Sequence, residues 1–298
     1  MKLKHSDHYP FRSEAAKRRY LKRYDKRATA WPVPSEERSV NTSFGSTFVR
    51  VSGPSGAQPV IMLPGIGSPG LLFSPNVASL SQHFQTFAVD NIHDYGRSVE
   101  TRPVTGADDF ATWLDEVCTG LNLGTSVNFL GLSYGGWIAA QYAIRFPGRV
   151  RRLVLLAPAG TVASVPWGFI WRGILCLIPF RFFLKNFVNW ISTADATDQR
   201  ALRLITQVAD DTYLAQRSFK HRRIVPPVPL TDEQLASLPP STLFLVGDKE
   251  VIFDTHKALL RLGSVAPQIR AELIHGTGHD FFAARAHEVN RRIIDFLK

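Results

Sequence analysis

The sequence predicts an α/β fold with a mostly parallel central sheet of about eight strands, flanked by helices and interrupted by an inserted helical cap. Two observations predict the sheet. Short apolar runs alternate with helix-like segments, and most of these runs are apolar on both faces, like strands that helices cover on both sides. A third observation predicts the cap, because the interval between the strands near Leu153 and Thr242 is far longer than a crossover helix needs.

The predicted elements follow in chain order. Two short strands around the turn-like sequence SFGS predict an antiparallel hairpin at residues 39–42 and 48–51. The strands of the parallel part are predicted at residues 60–63, 86–89, 127–130, 153–157, 242–246 and 271–275. Helices are predicted around residues 108–120, 134–145, 255–262 and 285–297.

The net charge of +10 is concentrated at the N-terminus. The first thirty residues contain ten Lys or Arg and three Asp or Glu, which gives this segment a balance of +7. Apolar residues at spacings of three and four predict that residues 1–37 include a basic amphipathic helix docked on the body, namely Leu21, Tyr24, Ala28 and Trp31. A solvated basic face is the simplest interpretation, and an anionic surface or partner is the alternative. We expect no nucleic-acid partner.

The chain is predicted to consist of one core with an insertion. Residues 38–159 and 239–298 form the predicted core, and residues 160–238 form the predicted cap or lid.

The N-terminus, which precedes these blocks, has no apolar signal-peptide segment. Cys118 and Cys176 belong to no metal or disulfide motif. We therefore expect a cytoplasmic protein, and the oligomeric state is not readable from the sequence.

The predicted cap contains an unusually aromatic segment at residues 165–191. A membrane span is disfavoured, because the uncharged run at residues 173–180 is far shorter than the ~20 residues that a span needs. We expect instead a lid whose apolar face covers an acyl-binding site, with transient contact with a lipid surface as the alternative. The predicted pocket residues are Trp167, Phe169 and Trp171.

The sequence FLGLSYGGW, residues 129–137, predicts a serine nucleophile at Ser133. An apolar strand precedes this serine and a helix follows it, with Gly131 and Gly135 two positions away on either side. A sharp strand-to-helix turn exposes the serine oxygen, and its crowded backbone requires small residues at those two positions. The helix N-terminus also offers free N–H groups, including that of Tyr134, to an oxyanion. A tight turn with a non-catalytic serine is the alternative.

A serine nucleophile requires a general base and an acid, which in this architecture follow later strands in the order serine, acid, histidine. GDKEVIFD follows the predicted strand at residues 242–246, and GTGHD follows the strand at residues 271–275. His275 lies near the end of its strand, whereas His279 lies on a loop that can turn inward. The sequence therefore favours His279 as the base.

These motifs resemble those of the α/β-hydrolase superfamily. VIMLPGIG resembles its oxyanion loop, GLSYGG its nucleophile elbow, LFLVGDKEVIFD its acid loop and HGTGHDFF its histidine loop. The sequences WPVP, TSFGST and GDKEVIFD are most similar to those of the capped bacterial carboxylesterases. The resemblance spans about residues 30–298, with a looser match in the predicted cap.

The resemblance implies specific roles for the residues at matching positions. It implies Ser133 as nucleophile, His279 as base and Glu250 as acid; Asp248 is the alternative acid and Asp254 a weaker one. The backbone N–H groups of Ile66 and Tyr134 would form the oxyanion hole. Pro64-Gly65 stands where the family commonly has His-Gly, a change that leaves these backbone donors in place. DYGRS, residues 94–98, matches a structural turn.

The implied activity is that of a serine hydrolase that cleaves a hydrophobic carboxylic ester through an acyl-enzyme intermediate. This chemistry needs no metal and no organic cofactor. Carbon–carbon bond hydrolysis and lactone hydrolysis with the same triad remain alternatives, as does a non-catalytic ligand-binding role. Dehalogenases and epoxide hydrolases are disfavoured, because the resembling members use Asp at the position of Ser133.

Overall fold

A computed structural model describes residues 7–178, 180–193, 199–220 and 224–298. Its described part contains one sheet of nine strands. The strands are β1 (Glu36–Thr42), β2 (Gly45–Ser52), β3 (Pro59–Leu63), β4 (Gln85–Val89), β5 (Val99–Glu100), β6 (Val127–Leu132), β7 (Val150–Leu156), β8 (Thr242–Gly247) and β9 (Arg270–Ile274).

The predicted, mostly parallel sheet is confirmed. Its strand order is β1-β2-β4-β3-β6-β7-β8-β9, with β5 paired to β2. The pairs from β4 through β9 are parallel, and the pairs that involve β2 are antiparallel. The sequence predicts about eight strands because β5, with two residues, is too short to give a periodic signal.

The central strands are buried on both faces, which explains their apolar character. Every residue of β6 and of β8 is buried. In a parallel sheet these strands are covered by helices on both sides, so each face must be apolar. Since β3, β6, β7, β8 and β9 run in the same direction, the loops that follow them lie along one edge of the sheet. All the predicted catalytic residues belong to these loops or to the turn that follows β6.

Eleven α-helices belong to the described part of the chain. They are α1 (Glu14–Ala28), α2 (Ser74–Leu80), α3 (Ala107–Gly120), α4 (Tyr134–Arg145), α5 (Trp167–Leu175), α6 (Arg181–Ile191), α7 (Gln199–Ser218), α8 (Asp232–Ala236), α9 (Thr255–Val265), α10 (Phe281–Ala284) and α11 (Ala286–Leu297). Among the described residues, none of these helices has both the length and the apolar character that crossing a bilayer demands. The four predicted helices correspond to α3, α4, α9 and α11.

Helix α1 buries an aromatic stripe against the rest of the protein. Its side chains Tyr20 and Tyr24 are buried, and Trp31 is buried after the helix ends. The Tyr20 ring meets Phe219 edge-on at 4.8 Å, and the Phe219 ring lies 4.4 Å from that of Phe11. The docking of this stripe explains its periodicity. Residues 1–6 of the predicted basic segment lie outside the described residues.

Four helices, α5 to α8, lie between β7 and β8, where the sequence predicts the cap. The two ends of this insertion meet, because the Leu230 N–H donates to the Thr161 carbonyl at 3.0 Å. Arg261 of α9 holds both ends, donating to the carbonyls of Val162 at 2.6 Å and Leu230 at 2.7 Å. The division at residues 160–238 stays a prediction, and residues 179, 194–198 and 221–223 within it lie outside the described residues.

Candidate active site

Ser133 lies in a strained turn between β6 and α4. Its φ of 52° and ψ of −115° are rare for a residue with a side chain, and such a conformation costs about 1–3 kcal/mol. The turn is held by hydrogen bonds, since the Ser133 N–H donates to Leu156 O at 2.8 Å and Gly136 N–H donates to Ser133 O at 3.0 Å. Neighbouring strand and helix therefore fix the serine in an unfavourable backbone conformation.

Gly131 and Gly135 explain why this turn needs small residues. A Cβ atom on Gly135 would overlap the Leu63 carbonyl at the end of β3, and one on Gly131 would overlap the Gly135 carbonyl. Both obstacles are backbone atoms, which cannot rotate away as a flexible side chain can. The two glycines thus allow the turn to pack directly on the neighbouring strand.

The predicted oxyanion donors are the backbone N–H groups of two residues near Ser133. Tyr134 directly follows the serine, and Ile66 follows Gly65, on which an added Cβ would lie 3.9 Å from Ser133 Oγ. Tyr134 begins α4, and Ile66 lies in the loop after β3. Within the described part of the chain, the N–H groups of Ile66 and Tyr134 donate no hydrogen bond to protein atoms. Free N–H groups next to a serine are the donors that a developing oxyanion requires.

Two aspartates that have no predicted catalytic role hold the loop that carries Ile66. The Asp94 carboxylate accepts the Gly67 N–H at 2.7 Å. The Asp90 carboxylate accepts the Gly70 N–H at 2.8 Å and the Tyr24 hydroxyl at 3.0 Å. Burial raises the pKa of Asp90 to about 6 against the opposing effect of these hydrogen bonds. In the sequence, the signal for this role is the carboxylate that directly follows an apolar strand in AVDN.

Glu250 and His279 form a buried hydrogen-bonded pair. Nδ1 of His279 lies 2.8 Å from Oε2 of Glu250, whose side chain is 0% exposed, while that of His279 is 12% exposed. The other carboxylate oxygen, Oε1, accepts the N–H groups of Val251 at 2.7 Å and Ile252 at 3.0 Å. Glu250 is therefore held from both ends and faces the histidine with a fixed oxygen.

The pKa values of this pair move in opposite directions. Burial on its own raises the pKa of Glu250, but the charge of His279 and three hydrogen bonds lower it overall. Burial on its own lowers the pKa of His279, but the charge and hydrogen bond of Glu250, with a further contribution from Asp280, raise it overall. The pair therefore favours a carboxylate beside an imidazole that readily accepts a proton.

The two alternative acids, Asp248 and Asp254, contact groups other than the His279 side chain. The Asp248 carboxylate faces His275 at 3.3 Å, and the His275 side chain is 81% exposed. Hydrogen bonds from the backbone N–H groups of Gly276 and Thr277 are among the causes that lower the pKa of Asp248. Asp254 caps helix α9 by accepting the Lys257 N–H at 3.0 Å. These contacts give both carboxylates structural roles in loops.

Ser133 and His279 follow strands of the same sheet edge, but no hydrogen bond joins their side chains within the described part of the chain. Of the three side chains of the predicted triad, Glu250 and His279 are in direct contact. Catalytic hydrogen bonds are often long before a substrate binds and tighten in the reacting complex.

The three predicted pocket residues have different surroundings. Phe169 is half-buried, with its ring 5.2 Å from that of Phe187 and 6.3 Å from that of Trp190. Trp167 is 78% exposed and Trp171 is 50% exposed. Phe169 thus joins an aromatic cluster of α5 and α6, whereas the two tryptophans lie on the outer surface of α5.

The sequence of the chain is similar to those of bacterial carboxylesterases. It is 31% identical to carboxylesterase YbfK of Bacillus subtilis (strain 168) over 280 residues, which cover 94% of this chain and 93% of that protein. It is also 31% identical to an uncharacterized carboxylesterase, nap, of the same organism, over 94% of this chain and 92% of the relative.

The structure is similar to crystal structures of the same group. Naproxen esterase (carboxylesterase NP) from Bacillus subtilis superposes with a TM-score of 0.86 at 29% identity, covering 99% of this chain and 100% of that chain. Carboxylesterase CesB (YbfK) superposes with a TM-score of 0.84 at 29% identity, covering 95% and 98%. Residues 60–292 match the alpha/beta hydrolase family. The chain belongs to the alpha/beta hydrolase family.

Proposed function

We propose that the chain is a carboxylesterase that cleaves hydrophobic carboxylic esters, with Ser133 as nucleophile, His279 as general base and Glu250 as the acid that orients it. The similarity to carboxylesterases over nearly the whole chain supports an ester-hydrolysing enzyme. The observation that carries the assignment of residues is the buried Glu250–His279 pair on the sheet edge that also carries the strained Ser133.

The reaction begins with proton transfer from Ser133 to His279. The serine oxygen attacks the ester carbonyl, and the N–H groups of Ile66 and Tyr134 stabilise the oxyanion. His279 then gives the proton to the leaving alcohol, and an acyl group remains on Ser133. Water, activated by the same histidine, attacks the acyl group and releases the carboxylic acid. Throughout, Glu250 stabilises the imidazolium and keeps its Nδ1 protonated, so that the other ring nitrogen exchanges protons with substrate.

We further propose that residues 160–238 form a cap over the core of residues 38–159 and 239–298, with residues 1–37 docked on both. The aromatic cluster of Phe169, Phe187 and Trp190 supports an apolar acyl-binding surface, because helix α6 ends beside the histidine loop. The His279 N–H donates to the carbonyl of Ile191, the last residue of that helix, at 3.0 Å. A hydrophobic acyl group bound near Ser133 would thus meet apolar rings of the cap.

The experiment is hydrolysis of p-nitrophenyl esters of increasing acyl length by the purified protein and by Ser133→Ala. We expect turnover by the wild type and a loss of at least about 10³-fold in kcat for the variant, because removal of a triad nucleophile typically costs more. Lactones and carbon–carbon bond substrates are assayed in parallel. Ester hydrolysis that survives in Ser133→Ala, or activity confined to the other substrates, would contradict the proposal.

A second proposal concerns the outer surface of α5 together with Phe180 and the first turn of α6. We propose that this surface contacts an anionic lipid surface. This surface exposes large apolar side chains, among them Trp167 at 78%, Phe180 at 63% and Phe182 at 66%. The segment at residues 160–193 contains three basic residues and no Asp or Glu. Arg181 forms an ion pair with Asp210 of α7, so the charges complementary to anionic headgroups are those of Arg172 and Lys185. Exposed apolar residues with basic neighbours are typical of interfacial helices.

Co-sedimentation with vesicles tests this surface. We expect binding to phosphatidylcholine vesicles that contain phosphatidylglycerol, weaker binding to pure phosphatidylcholine, and reduced binding of Phe182→Ser. Leu260→Ser is the matched control, because Leu260 is 61% exposed but belongs to helix α9 of the core. Equal binding of both variants, or no binding of the wild type, would refute a docking role for the cap.

A further inference from the structure

The loop that carries His279 is tied to the cap by a group of hydrogen bonds that the proposed catalytic steps do not use. Besides the contact of His279 N–H with Ile191 O, the Gly278 N–H donates to Thr193 Oγ1 at 2.8 Å. The acceptors are the last residue of α6 and the second residue after it, and the donors are the backbone N–H groups of His279 and of the residue before it. The position of His279 therefore depends on where α6 ends.

Asp280, the residue after the base, completes this connection. Its carboxylate accepts the Thr193 N–H at 3.2 Å and the Thr193 hydroxyl at 3.1 Å. The same carboxylate accepts the Ser192 hydroxyl. Thr193 thus bonds to both neighbours of His279, accepting from Gly278 and donating to Asp280. The close approach leaves no free space, because a Cβ on Gly278 would lie 3.1 Å from both Ile191 O and Thr193 Cγ2.

Helix α6 also carries part of the proposed acyl-binding surface. The rings of Phe187 and Trp190 belong to it, and Arg172 of α5 lies over the Trp190 ring at 4.4 Å. Trp190 is separated from Thr193 by two residues. A rigid helix end transmits a displacement of these rings to Thr193, because packed side chains and backbone hydrogen bonds resist compression.

We propose that Thr193 and Asp280 are positioning residues that couple the cap to the general base, so that an acyl group bound against α6 aligns His279 with Ser133. This inference rests on the proposed function and adds a regulatory contact to the same site. An acyl chain too short to reach α6 leaves the base less well aligned. The enzyme should consequently show a kcat that rises with acyl length, and not only a KM that falls.

The principal test compares Thr193→Val with Thr193→Ser on p-nitrophenyl acetate and p-nitrophenyl octanoate. The valine side chain has the shape of threonine but neither accepts from Gly278 nor donates to Asp280, whereas the serine hydroxyl does both. The bond from the backbone N–H of residue 193 to Asp280 remains in both variants. In Thr193→Val we expect kcat on the octanoate to fall about ten- to hundred-fold, the scale of a small misplacement of a catalytic group. The acetate should lose less, and Thr193→Ser should retain wild-type kcat within about threefold.

A pH profile distinguishes the loss of a charge near the base from the loss of its alignment. Glu250 and Asp280 are the charged side chains that raise the pKa of His279 among the described residues, against the lowering effect of burial. Asp280→Asn removes one of these negative charges, so the pKa of the base falls and the rising limb of kcat/KM moves to lower pH. Thr193→Val removes no charge and should leave that limb in place.

The outcomes separate this inference from the proposed function. Retained esterase activity in Ser133→Ala would overturn both. If Ser133→Ala is inactive while Thr193→Val equals the wild type on both esters, the coupling fails and the esterase assignment stands. Equal losses on both esters that follow a lowered Tm would also overturn the coupling, since they show that Thr193 only stabilises the fold. A selective loss on the octanoate at unchanged Tm supports it.

Discussion

Replacing Glu250 by Gln tests the proposed acid at one atom. The carboxylate oxygen Oε1 accepts two backbone N–H groups, from Val251 and Ile252, and Oε2 faces Nδ1 of His279. A glutamine must therefore place its amide oxygen toward the two donors, because an NH₂ group there would face two N–H groups in a buried site. Its NH₂ group then faces the histidine.

This orientation forces the wrong tautomer of the base. An NH₂ group donates, so Nδ1 of His279 must accept, and the ring proton moves to Nε2, which can no longer take the proton of Ser133. In the serine–histidine–aspartate template, the corresponding carboxylate-to-amide change lowers kcat by about 10⁴. We expect a loss of about 10² to 10⁴ in kcat for Glu250→Gln, equivalent to about 2.7–5.4 kcal/mol at about 1.36 kcal/mol per factor of ten.

Asp248→Asn is the matched control, because it makes the same chemical change two residues earlier in the same loop. Asp248 faces the exposed His275 at 3.3 Å, and exposed ion pairs contribute about 0–1 kcal/mol. We expect its kcat to stay within about fivefold of the wild type on p-nitrophenyl butyrate, as 1 kcal/mol permits. A larger loss for Asp248→Asn than for Glu250→Gln would refute the assignment of the acid.

The pH dependence of kcat/KM is a second measurement on Glu250→Gln. Glu250 raises the pKa of His279 in the folded protein, so its charge favours the protonated ring. The proposed base acts in its deprotonated form, so we expect kcat/KM to rise with pH through the pKa of His279. Loss of the negative charge lowers that pKa, so the residual activity of Glu250→Gln should reach its plateau at lower pH. A shift toward higher pH would contradict this electrostatic argument.

Three further variants test the fold around the site. Phe169→Ala should change the ratio of kcat/KM between short and long esters by about tenfold, since a pocket residue contributes about 1–3 kcal/mol to discrimination between substrates. Trp167→Ala, at an exposed position, should leave this ratio unchanged. Equal effects of the two variants would refute the proposed pocket. Gly135→Ala should lower kcat at least about 100-fold by displacing Ser133, whereas Gly263→Ala, in open space on α9, should retain activity. Arg261→Ala should lower the free energy of unfolding in urea by about 1–3 kcal/mol by unpairing two carbonyls; an unchanged midpoint would contradict this role.

Much of the architecture is determined by local sequence. Apolar runs such as that of β6 identify a buried strand wherever it lies in the sheet, because both of its faces need apolar side chains. Ser133 is identifiable for a related reason, since Gly131 and Gly135 are required by backbone crowding inside a single turn. β5 escaped prediction, because two residues paired to a distant strand carry no periodicity of their own.

Contacts between loops were decided only by the tertiary structure. The sequence places Asp248, Glu250, His275 and His279 near the same sheet edge, but their pairing depends on how two loops lie against each other. The separation of Phe169 from Trp167 likewise depends on which face of α5 packs against α6. Asp90, Thr193 and Asp280 acquire their partners across distances of many residues along the chain. Local sequence determines which elements form, whereas the packing of distant segments determines which polar groups meet and which apolar faces remain exposed.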